Sequence, residues 1–224
     1  IILLGHSWGS IIGLEVISKH PDDYLAYIGI SQQISVNESD TLVYRELIER
    51  SKLAHSPKAD HGDLSQLGEP PYKTVEEWLI LREIVAKSGG LVSGKGDIGM
   101  LGMIKKMVGP FIWNFDYPWF ETFRINGNMN FTMNNIYDEM MAVDFTNLNS
   151  IEIPTIFIHG VHDLNSHPLP FQKWFNNLKS PHKKYIQFKK SAHMPMWEEK
   201  SKFQSEIIEY IKISENLQIK ADKK

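Results

Sequence analysis

The sequence reads Gly-His-Ser-Trp-Gly at positions 5–9, close to the start of the chain. A serine hydroxyl is a weak nucleophile unless a tight turn holds it clear of the backbone, beside a base and near donors that stabilise an oxyanion. An apolar run at 1–4 precedes the segment and a helical pattern follows from Ser10, which is the context that Gly-x-Ser-x-Gly requires. We therefore predict that Ser7 is a nucleophile, and that Gly5 and Gly9 let strand and helix approach closely.

The helix that follows Ser7 is expected to supply part of an oxyanion site. Its first N–H groups have no helical partner, and the positive end of its dipole points toward the serine. We predict that the backbone N–H of Trp8 donates to the oxyanion, while the indole side chain plays no chemical part.

A base and an acid are needed to activate the serine, and the best-placed candidates are His193 and Asp163. His193 lies in a loop after the last predicted strand, where an imidazole could take the Ser7 proton and return it to a leaving group. Asp163 ends another predicted strand and would orient the imidazole, although a strand-end aspartate is also a common turn former. His6 is expected to pack or bond locally, and other histidines near loops are expected to be solvated (His20, His55, His61, His182).

The sequence gives little support for a metal site or a cofactor site. His159, His162 and Asp163 lie close together, but residues three apart on an extended segment point to opposite faces, and no distant cluster supplies further ligands. The chain has no cysteine, which excludes thiolate nucleophiles, thiolate zinc sites and disulfides. We expect neither a metal nor an organic cofactor.

A glycine-rich stretch at 89–96 has part of the spacing of a phosphate-binding loop. Gly96 stands where that motif needs Ser or Thr, and a helical pattern rather than a strand precedes it. We interpret the stretch as a flexible loop.

Two parts of the sequence, 1–34 and 151–213, alternate between apolar strand patterns and helical patterns. Strands are predicted at 1–4, 25–30, 155–158 and 184–190, with helices between them and a closing amphipathic helix. Such alternation predicts right-handed crossovers and a parallel sheet, hence the fold class α/β. A polar tail at 214–224 is expected to fray.

The intervening residues 35–150 predict a mostly helical cap inserted between two strands. Helical patterns occur at 42–53 and 75–87, and the second has Thr74 and Glu77 at capping-box spacing and Gly89 at its exit. Seven aromatic residues at 111–123 could line an apolar pocket or form the core of the cap. Glu69, Glu76 and Glu77 could bind a substrate ammonium, although solvated helix charge explains them better, particularly Glu77, which is expected to cap the helix.

The elbow at 5–9, an acid in a strand-end loop and Ala-His-Met-Pro at 192–195 together resemble the α/β-hydrolase family. In that family the triad runs serine, acid, histidine along the chain, which implies Ser7, Asp163 and His193. The Ser-Trp-Gly-Ser elbow with a helical cap is similar to the proline iminopeptidase branch, which removes N-terminal proline. Epoxide hydrolases and dehalogenases of the family carry aspartate at the elbow, so Ser7 argues against them.

The resemblance also implies several strand-helix units before the elbow, on the order of 100 residues at about 30 residues each. The sequence would then contain the C-terminal half of the sheet, lacking the loop that gives the second oxyanion donor. We expect the missing N-terminal portion to be a possible partner, and the chain alone to be of uncertain activity.

The charge and hydropathy of the sequence exclude two classes of partner, nucleic acid and membrane. A formal net charge of −3 gives no basic stripe for nucleic acid, and no apolar run reaches the length of a membrane span. The default expectation is a cytoplasmic serine hydrolase that acts on a small molecule or short peptide. An iminopeptidase-like aminopeptidase is favoured over a carboxylesterase or lipase-like enzyme, and the rival from another class is an inactive fragment or ligand-binding relative.

Overall fold

A four-stranded parallel sheet forms the centre of the molecule. The computed structural model describes residues 1–53, 61–93 and 131–221. The strands are β1 (Ile2–His6), β2 (Ala26–Ile30), β3 (Thr155–Gly160) and β4 (Lys183–Phe188), and they lie side by side in that order. The fold class is thus α/β, as predicted, with strands from both ends of the chain paired between β2 and β3.

Helices cover both faces of the sheet. The helix α1 (Trp8–Lys19) and a short 3-10 turn (Pro21–Asp23) connect β1 to β2. The helices α2 (Val36–Leu53), α3 (His61–Leu67) and α4 (Val75–Lys87) follow β2, and α5 (Pro168–Asn177) follows β3. The short α6 (Pro195–Glu198) and the long α7 (Lys200–Ala221) come after β4.

Alternating side chains of the inner strands fill two cores. Tyr27 and Phe157 point toward α1 and α5, where they pack with Leu14, Phe171 and Trp174. Their neighbours on β2 and β3 point to the opposite face and pack with Tyr210 of α7, namely Ala26, Ile28, Ile30, Ile156 and Ile158. This period-two pattern explains why both inner strands read as continuous apolar runs.

The residues described between 35 and 150 are mostly helical. Besides α2, α3 and α4, residues 131–141 form a helix. The N-cap of α4 is confirmed, because the Thr74 hydroxyl accepts from the Glu77 N–H at 3.2 Å. The Glu77 carboxylate accepts at 2.9 Å from the N–H of Lys73, one residue before the cap, and not from that of Thr74 as in a capping box. The aromatic residues at 111–123 lie outside the described residues, and the domain boundaries at 34 and 150 stay a prediction.

The end of the chain differs from the expected frayed tail. Helix α7 continues through 214 to Ala221, and Ser214 is buried with its hydroxyl donating to the Tyr210 carbonyl at 2.9 Å. The segment is rich in polar residues, so its sequence has no broad apolar stripe of the kind that marks an amphipathic helix. None of the helices described in the structure has the length and apolar character needed to cross a membrane.

Candidate active site

Ser7 occupies a sharp turn between β1 and α1. Its backbone has φ 54° and ψ −120°, a conformation that side chains rarely adopt, and its N–H donates to the carbonyl of Ile30 at 3.0 Å. The bond to the end of β2 holds the turn against the sheet. The strained turn presents the hydroxyl at the carboxyl edge of the strands, where parallel sheets commonly form their sites.

The two glycines of the elbow have different roles. A Cβ on Gly5 would lie 2.4 Å from the carbonyl oxygen of Gly9, so any side chain at 5 collides with the helix backbone. A Cβ on Gly9 meets no described atom within 4 Å. The prediction that both glycines allow close approach is therefore right for Gly5 and wrong for Gly9, because the first turn of α1 points position 9 away from β1.

Ser7, His193 and Asp163 are brought together in one hydrogen-bonded row. The Ser7 Oγ lies 2.7 Å from Nε2 of His193, whose Nδ1 lies 2.9 Å and 3.1 Å from the two Asp163 oxygens. Asp163 follows β3 and His193 follows β4, so parallel strands deliver the three groups to the same edge. Because a carboxylate only accepts, Nδ1 carries the proton and Nε2 faces Ser7 as an acceptor.

Asp163 is buried yet held as an anion. Burial alone would raise the pKa of Asp163, but the neighbouring His193 and hydrogen bonds from His159 and His193 hold that pKa far below its usual range. The N–H groups of Asn165 and Ser166 each donate to Oδ1 at 2.8 Å. An ionised Asp163 can therefore orient His193 and stabilise an imidazolium.

His159 is a partner of Asp163 that sequence reasoning considered only as a metal ligand. Its Nε2 lies 2.8 Å from the Ser166 carbonyl and 3.3 Å from Oδ2 of Asp163, and both are acceptors, so Nε2 carries the proton. His162 is exposed to solvent. Among the residues described, no group of three or more His, Cys, Asp or Glu side chains could hold a metal ion.

His6 fixes the loop that carries His193. Its Nε2 donates to the carbonyl of His193 at 2.9 Å, and the hydroxyl of Ser31 donates to the same carbonyl at 3.2 Å. Burial, and next the nearby His193, lower the pKa of His6 to about 4. His6 therefore packs and bonds within the site, as expected from its place in the elbow.

The exit of α4 connects the two loops that carry Asp163 and His193. The carbonyl of Gly90 accepts from the N–H of Leu164 at 3.0 Å, and that of Leu91 accepts from the N–H of His193 at 3.2 Å. A Cβ on Gly90 would lie 2.4 Å from the Leu164 side chain. The sequence predicts a flexible loop at 89–96, but residues 90 and 91 are held by backbone hydrogen bonds to both loops. The residues of this stretch from 94 onward lie outside the described residues.

A pocket of about 80 Å³ opens beside Ser7. The backbone N–H of Trp8, the predicted oxyanion donor, belongs to the first residue of α1, where the helix provides no carbonyl for it. The wall combines apolar side chains with four polar ones and, among the described residues, has no acid: Ser7, Trp8, Ile11, Gln33, Val36, Trp78, Arg82, Met140 and Asn165.

The three glutamates considered for ammonium binding lie elsewhere. Glu69 is paired with Arg45 at 2.5 Å, and Glu76 is exposed. Glu77 borders a separate depression with Gln66 and Ile80, in addition to its role at the start of α4. The structure therefore does not bring these glutamates to the pocket beside Ser7.

One residue of the pocket wall, Arg82, belongs to a buried ion pair. Arg82 of α4 bonds to Asp40 of α2, and both side chains are almost fully buried. Burial raises the pKa of Asp40, while the Arg82 charge opposes that rise. Sequence reasoning missed this pair because its members belong to different helices, and only the polar residue at 82 in the apolar pattern of 75–87 hinted at it.

Comparisons with known proteins agree with this architecture. No protein-family profile matches the chain. A curated relative, the probable aminopeptidase YbaC of Bacillus subtilis, is 29% identical over 206 residues, which span 91% of this chain and 62% of that protein. The chain thus spans less than two thirds of the length of the curated relative it matches.

Solved structures give the same result at the level of the fold. A lipase-esterase related protein from Clostridium acetobutylicum superposes with a TM-score of 0.53 and 15% identity, covering 93% of this chain and 65% of that one. MGS-M2, an α/β hydrolase from a Medee basin deep-sea metagenome library, superposes with a TM-score of 0.52 and 13% identity, covering 94% and 64%. The chain therefore has the α/β-hydrolase fold.

Proposed function

We propose that the chain belongs to a serine hydrolase that cleaves an ester or amide bond by acyl transfer. The observation that carries the proposal is the 2.7 Å contact between Ser7 Oγ and His193 Nε2, with Nδ1 bonded to the ionised Asp163. An unprotonated Nε2 at this distance is in position to take the hydroxyl proton.

In the proposed reaction, Ser7 Oγ attacks the substrate carbonyl carbon as its proton moves to Nε2 of His193. The carbonyl electron pair becomes an oxyanion, toward which the N–H of Trp8 donates. The oxyanion collapses, the bond to the leaving group breaks, and His193 returns the proton to that group. Water then attacks the acyl-enzyme with His193 as base, which releases the acid and restores Ser7.

For the substrate we propose a small molecule or short peptide, with an aminopeptidase of the iminopeptidase type as the first candidate. Its support is the curated relative described as a probable aminopeptidase. A carboxylesterase-like activity is the second candidate, favoured by the pocket wall, where the described residues include the cation Arg82 and no acid to attract a free ammonium.

Paired substrates separate the two candidates. Proline p-nitroanilide is compared with its N-acetylated form, and both with short p-nitrophenyl esters. An aminopeptidase should prefer the free amine, whereas an esterase should prefer the esters and ignore the amine. The Ser7→Ala variant should lose hydrolysis of every substrate, and Ser205→Ala, which changes an exposed serine, should retain it.

Hydrolysis that persists in Ser7→Ala would contradict the proposed mechanism. Absence of all hydrolysis by the unaltered chain would instead favour the rival, a ligand-binding relative or an inactive fragment.

A further inference from the structure

Nε2 of His193 has a second neighbour besides Ser7. The side-chain amide nitrogen of Asn165 lies 3.1 Å from Nε2, while Ser7 Oγ lies 2.7 Å away. Asn165 also lines the pocket beside Ser7. It therefore contacts the atom that would move the proton in the proposed reaction.

The orientation of the Asn165 amide is set by Arg82. One guanidinium nitrogen of Arg82 donates to the Asn165 backbone carbonyl at 2.9 Å and lies 3.3 Å from the side-chain oxygen Oδ1. A guanidinium only donates, so the atom facing it must be the amide oxygen. The NH₂ group of Asn165 is then directed at His193, where the single lone pair of Nε2 is shared between this donor and the Ser7 hydroxyl.

The backbone of Asn165 is fixed from two further sides. Its N–H donates to Asp163, and its carbonyl accepts from the side chain of Gln33 at 3.1 Å. Arg82 is itself held by the buried Asp40. Asn165 has little freedom to turn its amide away from His193.

We propose that Asn165 is a positioning residue, oriented by Arg82, that donates to Nε2 of His193 and so favours the unprotonated base beside Ser7. The inference rests on the proposed function for its catalytic meaning. A protonated Nε2 would be a donor facing another donor, so the contact stabilises only the neutral imidazole. Removing the amide should let His193 bind a proton at higher pH.

Other charged and titratable groups around His193 are held by contacts that do not involve the Asn165 amide, apart from the 3.3 Å contact of Arg82 with its oxygen. Asp163 bonds to Nδ1, and His159 bonds to Asp163 from β3. The His6 ring lies 4.9 Å away between centroids on the side of β1, and Glu198 of α6 accepts from the Met194 N–H. Arg82 reaches His193 only through Asn165. A difference between variants therefore reports the amide itself.

The test is an NMR titration of the histidine side chains, in which the His193 signal is identified by its loss in His193→Ala. In Asn165→Ala we expect the protonation midpoint of His193 to rise by roughly half to one pH unit, the equivalent of one ordinary hydrogen bond. Asn165→Asp, which replaces the donor by a charged acceptor, should raise it further, because the added carboxylate also stabilises the protonated ring. The control Asn177→Ala removes an exposed amide that bonds only within α5 and should leave the midpoint unchanged.

An unchanged or lower midpoint in Asn165→Ala would overturn the inference, whatever the aspartate variant shows, because a carboxylate beside His193 raises the midpoint by its charge alone. The apolar Asn165→Leu variant answers the same question should the alanine variant fold poorly. The acid limb of kcat/KM should move with the midpoint. Because the titration needs no substrate, a chain that shows the shift without hydrolysis would refute the proposed function alone, and a hydrolase without the shift would refute the role of Asn165 alone.

Discussion

Two histidine rings lie side by side at the site, and their surroundings give them different roles. His6 is largely buried, donates to the backbone of the His193 loop, and has a pKa lowered to about 4. His193 has a carboxylate at one nitrogen and a serine at the other. At neutral pH, His6 is therefore an uncharged structural donor, whereas His193 has the surroundings that the proposed base requires.

The lowered pKa of His6 makes a prediction about stability. An unfolded His6 binds a proton near pH 6.5 and the folded one near 4, so the unfolded state holds more protons between these values. The free energy of unfolding should fall as the pH drops through this window, by up to about 3 kcal/mol from this group. Urea denaturation at pH 7 and pH 4 should show a smaller loss for His6→Asn than for the unaltered chain.

The matched control is His20→Asn, which changes an exposed histidine. It should lose as much stability on acidification as the unaltered chain. Equal losses in His6→Asn and His20→Asn would show that His6 is not the source of the acid sensitivity.

The ionised Asp163 makes a prediction about rate. In Asp163→Asn the neutral amide no longer compels Nδ1 to carry the proton, so His193 can adopt the tautomer in which Nε2 is protonated and unable to act as a base. We expect kcat to fall about 10,000-fold with the fold retained. Steady-state kinetics measure kcat, and circular dichroism checks that the fold is retained. A fall in kcat of only about tenfold would contradict the proposed role of Asp163 in orienting His193.

At the scale of elements, the elbow depends on one of its glycines. Gly5→Ala should destabilise the chain by about 1–3 kcal/mol or more, because the alanine Cβ would collide with the Gly9 carbonyl. Gly9→Ala should stay within about 1 kcal/mol of the unaltered chain, since alanine favours helix and a Cβ there meets no described atom within 4 Å. Denaturant unfolding of the two variants compares them directly, and equal destabilisation would refute the assigned difference.

Elements that depend on local pattern could be predicted from the sequence. The capping-box spacing and the apolar pattern place α4 at Val75–Lys87, and the alternation of strands and helices gives the parallel sheet. The order of Ser7, Asp163 and His193 follows from the resemblance to a known family. These features depend on short segments or on a shared motif, so one sequence suffices for them.

Contacts between distant segments could not be predicted in this way. Asp40 and Arg82 are 42 residues apart, and Arg82 and Asn165 are 83 apart. Each of these residues is unremarkable in its own segment, and only the packing of α2 and α4 over the catalytic loop gives it a role. The openness of position 9 likewise depends on the direction in which α1 leaves the sheet.

At the scale of the whole molecule, a partly buried chain of polar contacts links the helices that follow β2 to the loops that carry Asp163 and His193. Asp40 of α2 holds Arg82 of α4, and Arg82 holds Asn165 beside His193. The carbonyls of Gly90 and Leu91 add backbone bonds to the same loops. Substitutions that disturb the packing of α2 and α4 should therefore also change the geometry around His193.

The energetic coupling between Asp40 and Arg82 can be measured through the stability of the chain. Arg82→Gln should destabilise the chain by about 3–5 kcal/mol, because the Asp40 carboxylate is left buried without its partner. Adding Asp40→Asn should recover a substantial part of the loss, since neither buried charge remains. A double-mutant cycle by denaturant unfolding measures the coupling, and purely additive losses would contradict it.

The central claim is that Ser7 is the nucleophile of this α/β-hydrolase fold, and covalent labelling by a fluorophosphonate probe tests it most directly. Peptide mapping by mass spectrometry should find the adduct on Ser7. The adduct should be absent in Ser7→Ala, strongly reduced in His193→Ala and unchanged in Ser205→Ala. An adduct on another residue, or no adduct under conditions that label a control serine hydrolase, would contradict the claim.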